Sequence, residues 1–517
     1  MRIPLSKLSG QSFDVAVIGV GVNGSAAAHH LAAAGYSVLL VDRGDFSSGA
    51  SSRSSRLLHC GLRYLTPGSS MWEFARHPGR LMTALSMAKK GMESRSQFAR
   101  ETPERVEGNT FFFPIHEELP YKPWQLDLAF AVLRGLEPRG ASLDYGRVNL
   151  NKARTMPLLG WLRDTDKLKG IVRFREYRFE WPERIVMDTV LDAQRMGAVA
   201  RNYTPAVGLT RDGDGWSIIL GDSLDESGEA VVQAKAVLNM AGTWIDKVNR
   251  LAKADAGRRI TGTKGIHVMV RLPPECRSFG VFALNRVNEP MFVAPWRGLH
   301  YIGPTETVYE GDLDDVRATE DEIAWQLEEA NFLLPGANFK RSDVLFTWAG
   351  VRPLTYDPEQ PLGARARLIH DLVDEGMPNM LALTAGPIMT HRSAGQEATA
   401  EIAKRVAPSG RSQKISYAAK MFPENQNSPP LMHDHPSVKL ADLRYSAENE
   451  QPANLVDLLF QRTGVGWTAT MGRDAARQAA ETVADVLGWD KDRVDSEVSA
   501  YHAHLEKWHG VGAKTGD

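Results

Sequence analysis

Three glycines, Gly19-x-Gly21-x-x-Gly24, stand between a β-branched run, Asp14 to Ile18, and an alanine-rich stretch, Ser25 to Ala34. That spacing, with a strand before it and a helix after it, binds a dinucleotide pyrophosphate. Gly19 permits the tight turn, Gly21 lets backbone approach the phosphates, and Gly24 lets helix and strand pack closely. The helix start adds free N–H groups and a partial positive charge. Asp42 follows Gly24 by 18 residues and ends a second apolar run, Val38 to Val41. An acid there can accept the ribose hydroxyls and disfavours a 2′-phosphate, which argues against NADP. The fingerprint alone fits FAD and NAD equally.

Two arginines sit in apolar surroundings: Arg63 in Gly-Leu-Arg-Tyr-Leu and Arg352 in Gly-Val-Arg-Pro-Leu. A buried cation requires a partner, and a guanidinium can hold an anion bidentately. Arg392 is a third candidate, ahead of Arg56 and Lys264. His267, in Lys-Gly-Ile-His-Val, is the candidate general base, since an imidazole titrates near neutrality. A hydrogen-bonded structural histidine is the competing reading. His59 is a second candidate base, better suited to supporting its own loop.

These side chains need a scaffold. Residues 13–42 read as a compact strand–helix–strand unit closed at Asp42, with Gly35 ending the helix. Residues 183–204 read as a helix followed by a strand. Trp216 to Leu220 and Ala230 to Asn239 read as a β-pair returning to that unit. Short strands at His267 to Val270, Met291 to Ala294 and Leu299 to Ile302 imply a second sheet, and Val344 to Ala349 is a further short buried strand. Met380 to Leu383 is another buried strand, with a helix starting at Pro387. Helical periodicity at Leu455, Leu458, Leu459, Val483 and Leu487 marks a last region after a polar, proline-containing segment at 422–436. At 517 residues, two or three domains are expected. The near-neutral net charge of −2 argues against nucleic acid as a partner. Two cysteines, Cys60 and Cys276, suit a reducing cytoplasm rather than a disulfide scaffold or a zinc site, and no metal is expected. No apolar run approaches the roughly 20 residues that span a bilayer.

The segment Ala50-Ser-Ser-Arg-Ser-Ser-Arg-Leu-Leu-His-Cys-Gly-Leu-Arg-Tyr-Leu65 resembles the loop that lies along the flavin in FAD-dependent glycerol-3-phosphate dehydrogenases. Further matches follow in order: Asn239-Met-Ala-Gly-Thr-Trp244, Lys264-Gly-Ile-His267, Phe292-Val-Ala-Pro-Trp296, Ile302-Gly-Pro-Thr-Glu306 and Gly350-Val-Arg-Pro-Leu354. Gln461-Arg-Thr463 and Gly488-Trp-Asp490 resemble that family's helical domain. The resemblance spans nearly the whole chain. It implies a mixed α/β and α+β architecture in three parts. A discontinuous Rossmann-like FAD-binding domain takes 1–90, 170–250 and 345–408. A mixed-sheet substrate domain takes 91–169 and 251–344, and a C-terminal helical domain takes 409–517. It implies FAD as cofactor and a small phosphorylated polyol as substrate, oxidised with hydride transfer to flavin N5. It gives His267 and Arg352 to catalysis, and Arg63, Arg352, Arg392 and His267 to the substrate. Ser51, Ser52, Ser55, His59, Val207, Gly242 and Gly386 join Gly19, Gly21, Gly24 and Asp42 in holding the cofactor.

The pattern breaks at Ala385-Gly-Pro-Ile-Met-Thr-His-Arg392. The family reads Gly-Gly-Lys then Tyr-Arg there; here the lysine is Pro387, the tyrosine His391, and Met389 adds bulk. Val20 stands where the family usually has glycine. FAD binding survives these changes, whereas the choice between sn-glycerol 3-phosphate and a tetritol phosphate is open. The helix end beyond Gly386 is placed to face charge gathering at flavin N1 and C2=O on reduction. The apolar segment Pro120 to Leu136 can serve as a core helix or lie in a lipid interface. With the resemblance, it suggests a cytoplasmic protein, peripheral on the inner membrane face, passing electrons to quinone or another acceptor. A homodimer is compatible with the sequence. The competing readings are an amino-acid or 2-hydroxyacid oxidase on the same scaffold, an NAD-linked dehydrogenase and a non-catalytic FAD-binding protein.

Overall fold

The computed structural model describes residues 2–65, 76–119, 121–138, 141–225, 228–425 and 427–510, without the side chains of Arg63 and Arg80. Two sheets organise the chain. The first runs in the order Leu368–Asp371, Met380–Thr384, Glu229–Asn239, Ser12–Ile18, Val38–Val41, Val199–Arg201, and the four strands from Glu229–Asn239 across to Val199–Arg201 lie parallel. Met380–Thr384 also joins in parallel, and Leu368–Asp371 closes that edge antiparallel. Every residue of Val38–Val41, and all but Ser12 of Ser12–Ile18, is buried. Strands covered on both faces read as unbroken apolar runs, as these do.

The helix Val22–Ala33 starts three residues earlier than its alanine content suggests, because Gly21 in extended conformation serves as its N-cap. It packs on the helices Pro182–Arg195 and His391–Ala403. Small residues make that closeness feasible: a Cβ on Gly395 would come within 2.5 Å of Ala26 O. The expected β-pair is present, with Gly215–Gly221 antiparallel to Glu229–Asn239 before the latter enters the parallel sheet.

The second sheet has ten strands, and its central order is Ile260–Val270, Leu299–Gly303, Pro290–Trp296, Phe279–Leu284, Val106–His116, Leu168–Phe179. Three pieces grouped with the nucleotide unit in sequence belong here instead: most of Leu168–Phe179, Leu57–Leu58 and Val344–Thr355. Leu57–Leu58 pairs with Leu168–Phe179, and Val344–Thr355 pairs along Ile260–Val270. Both satisfy their backbone groups by joining this sheet, which periodicity alone could not reveal. One face carries the helix Glu320–Leu333. The other carries the helices Pro78–Glu101 and Pro123–Gly135 and the C-terminal helices, in one continuous core.

The C-terminal part begins as an extended strap rather than as helix. Gly410 N and Gln413 N donate to Gly35 O and Ala33 O, and Ser416 N donates to Asp192. Helices follow at Leu440–Asn449, Ala476–Leu487 and Lys491–His509, with a single π turn at Asp457–Arg462. That turn aims Arg462 at Asp45, which accepts from Nη1 and Nη2 at 2.7 and 2.6 Å in a fully buried pair. The loop after Asp42 is thus braced from the far end of the chain.

Candidate active site

The two sheets face each other across a cavity of about 790 Å³. Its nucleotide end is walled by Gly19, Gly21, Asp42, Gly44 and the turn Met240–Trp244. Gly19 has φ +104°, and a Cβ there would come within 2.6 Å of Met240 O; one on Gly21 would meet Ser51 Oγ at 2.9 Å. These positions admit backbone and nothing larger, as a pyrophosphate cradle requires. Gly24 sits behind that wall, against Gly19 and Met240, and serves the packing of helix on strand. Asp42 accepts from Val20 N at 2.6 Å and from Gly44 N at 3.0 Å, so it orders the glycine turn from the cavity side. Burial and the nearby Asp45 charge push its carboxyl up to about 6. Gly242 (φ +58°) and Gly386 (φ +88°) also line the cavity.

The middle of the cavity is lined by the loop of serines and arginines. Ser51 Oγ accepts from Val22 N at 3.0 Å, the first turn of the nucleotide helix. Ser55 and His59 line the cavity as well. Ser52 does not: its hydroxyl donates to Gly49 O at 3.0 Å, and its carbonyl accepts from Arg56 Nη2 at 2.8 Å. Ser52 is a turn-former whose side chain is spent on the loop itself. Val207 is 45 % exposed, and Pro205 and Ala206 line the cavity in its place. The register shift between Ala206 and Gly208 moves Val207 off the wall.

Arg56 explains how the loop is held. Its guanidinium lies 4.1, 4.4 and 4.9 Å from the ring centres of Trp296, Trp467 and Trp348. Glu183 stands 3.6 Å away, also fully buried. Burial pulls Arg56 down to about 10, with Glu183 opposing, so it stays charged. A desolvated cation stacked on indoles anchors strongly, and three tryptophans from three segments meet on it.

The far end of the cavity comes from paired strands. In the antiparallel register His267 opposes Trp348, Gly265 opposes Gly350, and Thr263 opposes Arg352. Directly opposed residues and their neighbours two along share one face. His267 and Arg352 therefore emerge together, separated by a gap of two glycines. A Cβ on Gly265 would come within 2.6 Å of Arg352 Nη2, and one on Gly350 within 2.8 Å of Arg53 Cβ. One glycine makes room for the guanidinium and the other for the flavin loop.

His267 Nε2 lies 2.9 Å from Ser55 Oγ, and its ring stacks on Trp348 at 4.6 Å with planes 9° apart. Burial, with the positive charges of Arg352 and Arg56 acting in the same direction, holds this imidazole well below its usual range. It is neutral at physiological pH and able to accept a proton.

The arginine candidates separate. Arg352 lines the cavity with His267. The side chain of Arg63 lies outside the described residues, though its backbone belongs to the short helix Leu62–Leu65. Arg392 is turned away from the cavity: it pairs with Glu101 at 2.9 Å and lies 4.0 and 4.2 Å from the rings of Phe98 and Tyr417. Lys264 is taken by Glu322 at 2.8 Å. The segment after Gly386 also differs from expectation. Pro387 precedes a single 3₁₀ turn, Ile388–Thr390, and the α-helix starts only at His391. Pro387 and Ile388 line the cavity, while Met389 is buried with Leu58, Phe98 and Phe179 and so adds no bulk to it.

Sequence reasoning missed three charged groups at this end: Glu289, Glu306 and Arg365. Glu306 closes the quoted Ile-Gly-Pro-Thr-Glu run and pairs with Arg365. Glu289 and Arg365 stand in turns with no local signal. Arg43, paired with Asp314 at the nucleotide end, and Trp508 from the last helix, under Arg53, were also missed.

With the geometry in view, comparison with known proteins defines the class. Residues 14–400 match the family described as FAD dependent oxidoreductase, and the chain belongs to it: an enzyme of oxidation and reduction with FAD as its cofactor. Residues 410–494 match the C-terminal domain of alpha-glycerophosphate oxidase, so the kinship with glycerol-3-phosphate dehydrogenases extends over both parts. A glycerol-3-phosphate dehydrogenase of Synechocystis sp. is 27 % identical over 97 % of this chain and 98 % of its own. One from Mycobacterium leprae is 27 % identical over 96 % and 88 %. Among solved structures, the glycerol-3-phosphate dehydrogenase of Bacillus halodurans complexed with FAD shares the fold at TM-score 0.72. It is 19 % identical, with coverage of 99 % of this chain and 98 % of that one.

Proposed function

We propose that this enzyme oxidises a small polyol phosphate, sn-glycerol 3-phosphate or a tetritol phosphate, at a secondary hydroxyl. The observation that carries the reading is the meeting of His267 and Arg352 on one sheet face opposite the glycine cradle. The two curated relatives named above, both glycerol-3-phosphate dehydrogenases, support the substrate class. Bound FAD supplies the acceptor of a hydride. The residues do the rest. His267 takes the hydroxyl proton at Nε2, which exchanges its hydrogen bond with Ser55 Oγ for one with the substrate hydroxyl. The C–H bond of the same carbon gives up its electron pair as hydride, and the alcohol leaves as a ketone. Arg352 holds the anionic substrate; burial first, and then the charge of Arg352, keep the imidazole neutral until the proton arrives. Trp348 behind the ring excludes water and fixes its plane.

Pro387 in the wall removes the lysine of the related pattern, and that favours the tetritol phosphate as a second substrate. Losing one charge-assisted contact alters affinity by about 1.5–3 kcal/mol, enough to redirect substrate choice. Electrons pass on to quinone at a membrane surface in this reading. Met82, Trp124 and Leu128 support it: they are 67, 56 and 52 % exposed on the adjoining helices Pro78–Glu101 and Pro123–Gly135. Leu126, Ala129, Phe130 and Leu133 of the second helix are buried, so it serves the core and an exposed apolar face at once. No helix among the described residues is long and apolar enough to cross a membrane.

Anaerobic mixing of the yellow holoenzyme with three- to five-carbon polyol phosphates tests the substrate class. Bleaching by one or more of them, and none by amino acids or 2-hydroxyacids, is the expected result. Bleaching by an amino acid instead would replace this reading with the oxidase one.

A further inference from the structure

The substrate end of the cavity carries charges of both signs, and they are not interchangeable. Arg352, Arg365, Glu306 and Glu289 all line it. Glu306 is committed to Arg365. Among the described residues no ion pair engages Glu289; its carboxylate interacts first with the Asn285 side chain and then with the charges of Glu306, Arg352 and Arg365. Burial raises its pKa, with Glu306 acting in the same direction against the Asn285 side chain and the two arginines.

Glu289 is also held still. It ends a tight hairpin in which its N–H donates to Asn285 Oδ1 at 2.7 Å and its carbonyl accepts from Asn285 N at 2.9 Å. Val287 N donates to the same Oδ1 at 3.1 Å. Arg286 next door anchors the hairpin to the helix Glu320–Leu333, through Glu329 at 2.9 Å from its N–H and 2.5 Å from Nε. The backbone at Glu289 is therefore fixed before any ligand arrives, and the Asn285 side chain also interacts with its half-buried carboxylate.

An ionised carboxylate beside a substrate phosphate repels it, and beside a hydroxyl group accepts a hydrogen bond. A polyol phosphate has one end of each kind. The pair Arg352 and Glu289 therefore sorts the two ends, with the phosphate on the arginine side and the free hydroxyls on the glutamate side.

We propose that Glu289 is the specificity-determining residue of this site, accepting hydrogen bonds from the substrate hydroxyls beyond the reacting carbon. The inference rests on the polyol phosphate reading above and adds a recognition rule to it. A chain end without hydroxyls forfeits that hydrogen bond and leaves a half-buried carboxylate short of a partner, and a site built to bond a hydroxyl rejects such an analogue strongly.

The test compares glycerol 3-phosphate and erythritol 4-phosphate with propane-1,2-diol 1-phosphate, which keeps the phosphate and the reacting hydroxyl but ends in a methyl group. Rates of anaerobic flavin bleaching are measured for the wild-type holoenzyme, Glu289→Gln and Glu289→Ala. In the wild type, kcat/KM favours the better hydroxylated substrate over the methyl analogue by about 100-fold or more. Glu289→Gln keeps about a tenth of that preference, and Glu289→Ala abolishes it. Both variants retain the flavin spectrum, and Glu289→Ala turns over the methyl analogue faster than the wild type does, because the carboxylate left short of a partner is gone. A wild type indifferent to the terminal hydroxyl overturns the proposal, as does a variant with full preference or with equal losses on all three compounds. A wild type bleached by none of the three brings down the polyol phosphate reading itself, and this rule with it.

Discussion

At the nucleotide end of the cavity the wall is backbone. Gly19, Gly21 and Gly242 bring main chain to the surface, and Asp42 spends its oxygens on Val20 N and Gly44 N. At the substrate end the wall is side chains: His267, Arg352, Glu289, Glu306 and Arg365, drawn from strands and turns up to about a hundred residues apart. The first end is specified by neighbours in sequence and serves any dinucleotide of the right shape. The second is specified by strand register and can be retuned one side chain at a time. The contrast recurs between two arginines. Arg352 and Arg392 are both buried or nearly so, but one reaches the cavity and the other is locked between Glu101, Phe98 and Tyr417. Burial of a cation therefore says that it has a partner, and only the fold says whether that partner is a ligand.

The largest expected effect falls on the substrate end. Replacing Arg352 by Ala lowers kcat/KM for flavin bleaching by about a thousandfold, the scale for losing a preorganised charge, while the bound flavin keeps its spectrum. Recovery of apoprotein instead would show that Arg352 belongs with the cofactor-holding end. Asp42→Ala acts in the opposite sense. Losing a carboxylate that accepts two backbone hydrogen bonds weakens FAD retention by about a hundredfold. Equilibrium dialysis reads this, and unchanged retention would mean that the glycine turn orders itself.

Gly265→Ala should separate position from charge. The added methyl displaces the Arg352 guanidinium, raising KM for polyol phosphate by about tenfold with FAD content unchanged. Arg392→Ala, the counterpart to the first variant, leaves KM unaltered and lowers unfolding stability by about 1–2 kcal/mol, because its stacking on Phe98 and Tyr417 is lost. Urea melts check this; a KM effect would return Arg392 to the substrate site.

The smallest effect is a shift in pH. His267 is depressed, chiefly by burial and then by Arg352. It stays neutral as pH falls past the ordinary imidazole range, and the acid limb of kcat/KM lies below about pH 6.5. Removing the neighbouring positive charge, as in Arg352→Gln, raises the imidazole pKa and moves that limb upward. A limb that stays in place or moves down would deny the coupling between the two residues.

How much could be read without coordinates follows from the range of each interaction. The strand–helix–strand unit, its glycines and Asp42 lie within 30 consecutive residues. Phosphate cradles are made by local turns, so pattern alone located them. The β-pair at 215–239 was legible for the same reason. The strands near 291–302 and 344–349 were legible as strands. The membership of Val344–Thr355 in the second sheet was not, because pairing with Ile260–Val270 depends on where the chain returns in space. Val207 and Ser52 carried no sign that a register shift and a turn would take them off the wall.

By itself the sequence determined a glycine turn of dinucleotide-cradle form and a family of flavin oxidoreductases as the setting, because those features are encoded in contiguous residues and fixed spacings. Tertiary structure alone decided which charges meet. The two-residue alternation of paired strands puts His267 and Arg352 on one face with Gly265 and Gly350 between them. Arg392 was drawn into a cage of its own, and a rigid hairpin delivered Glu289 to the cavity. Electrostatic partners act across space, and no spacing along the chain records them.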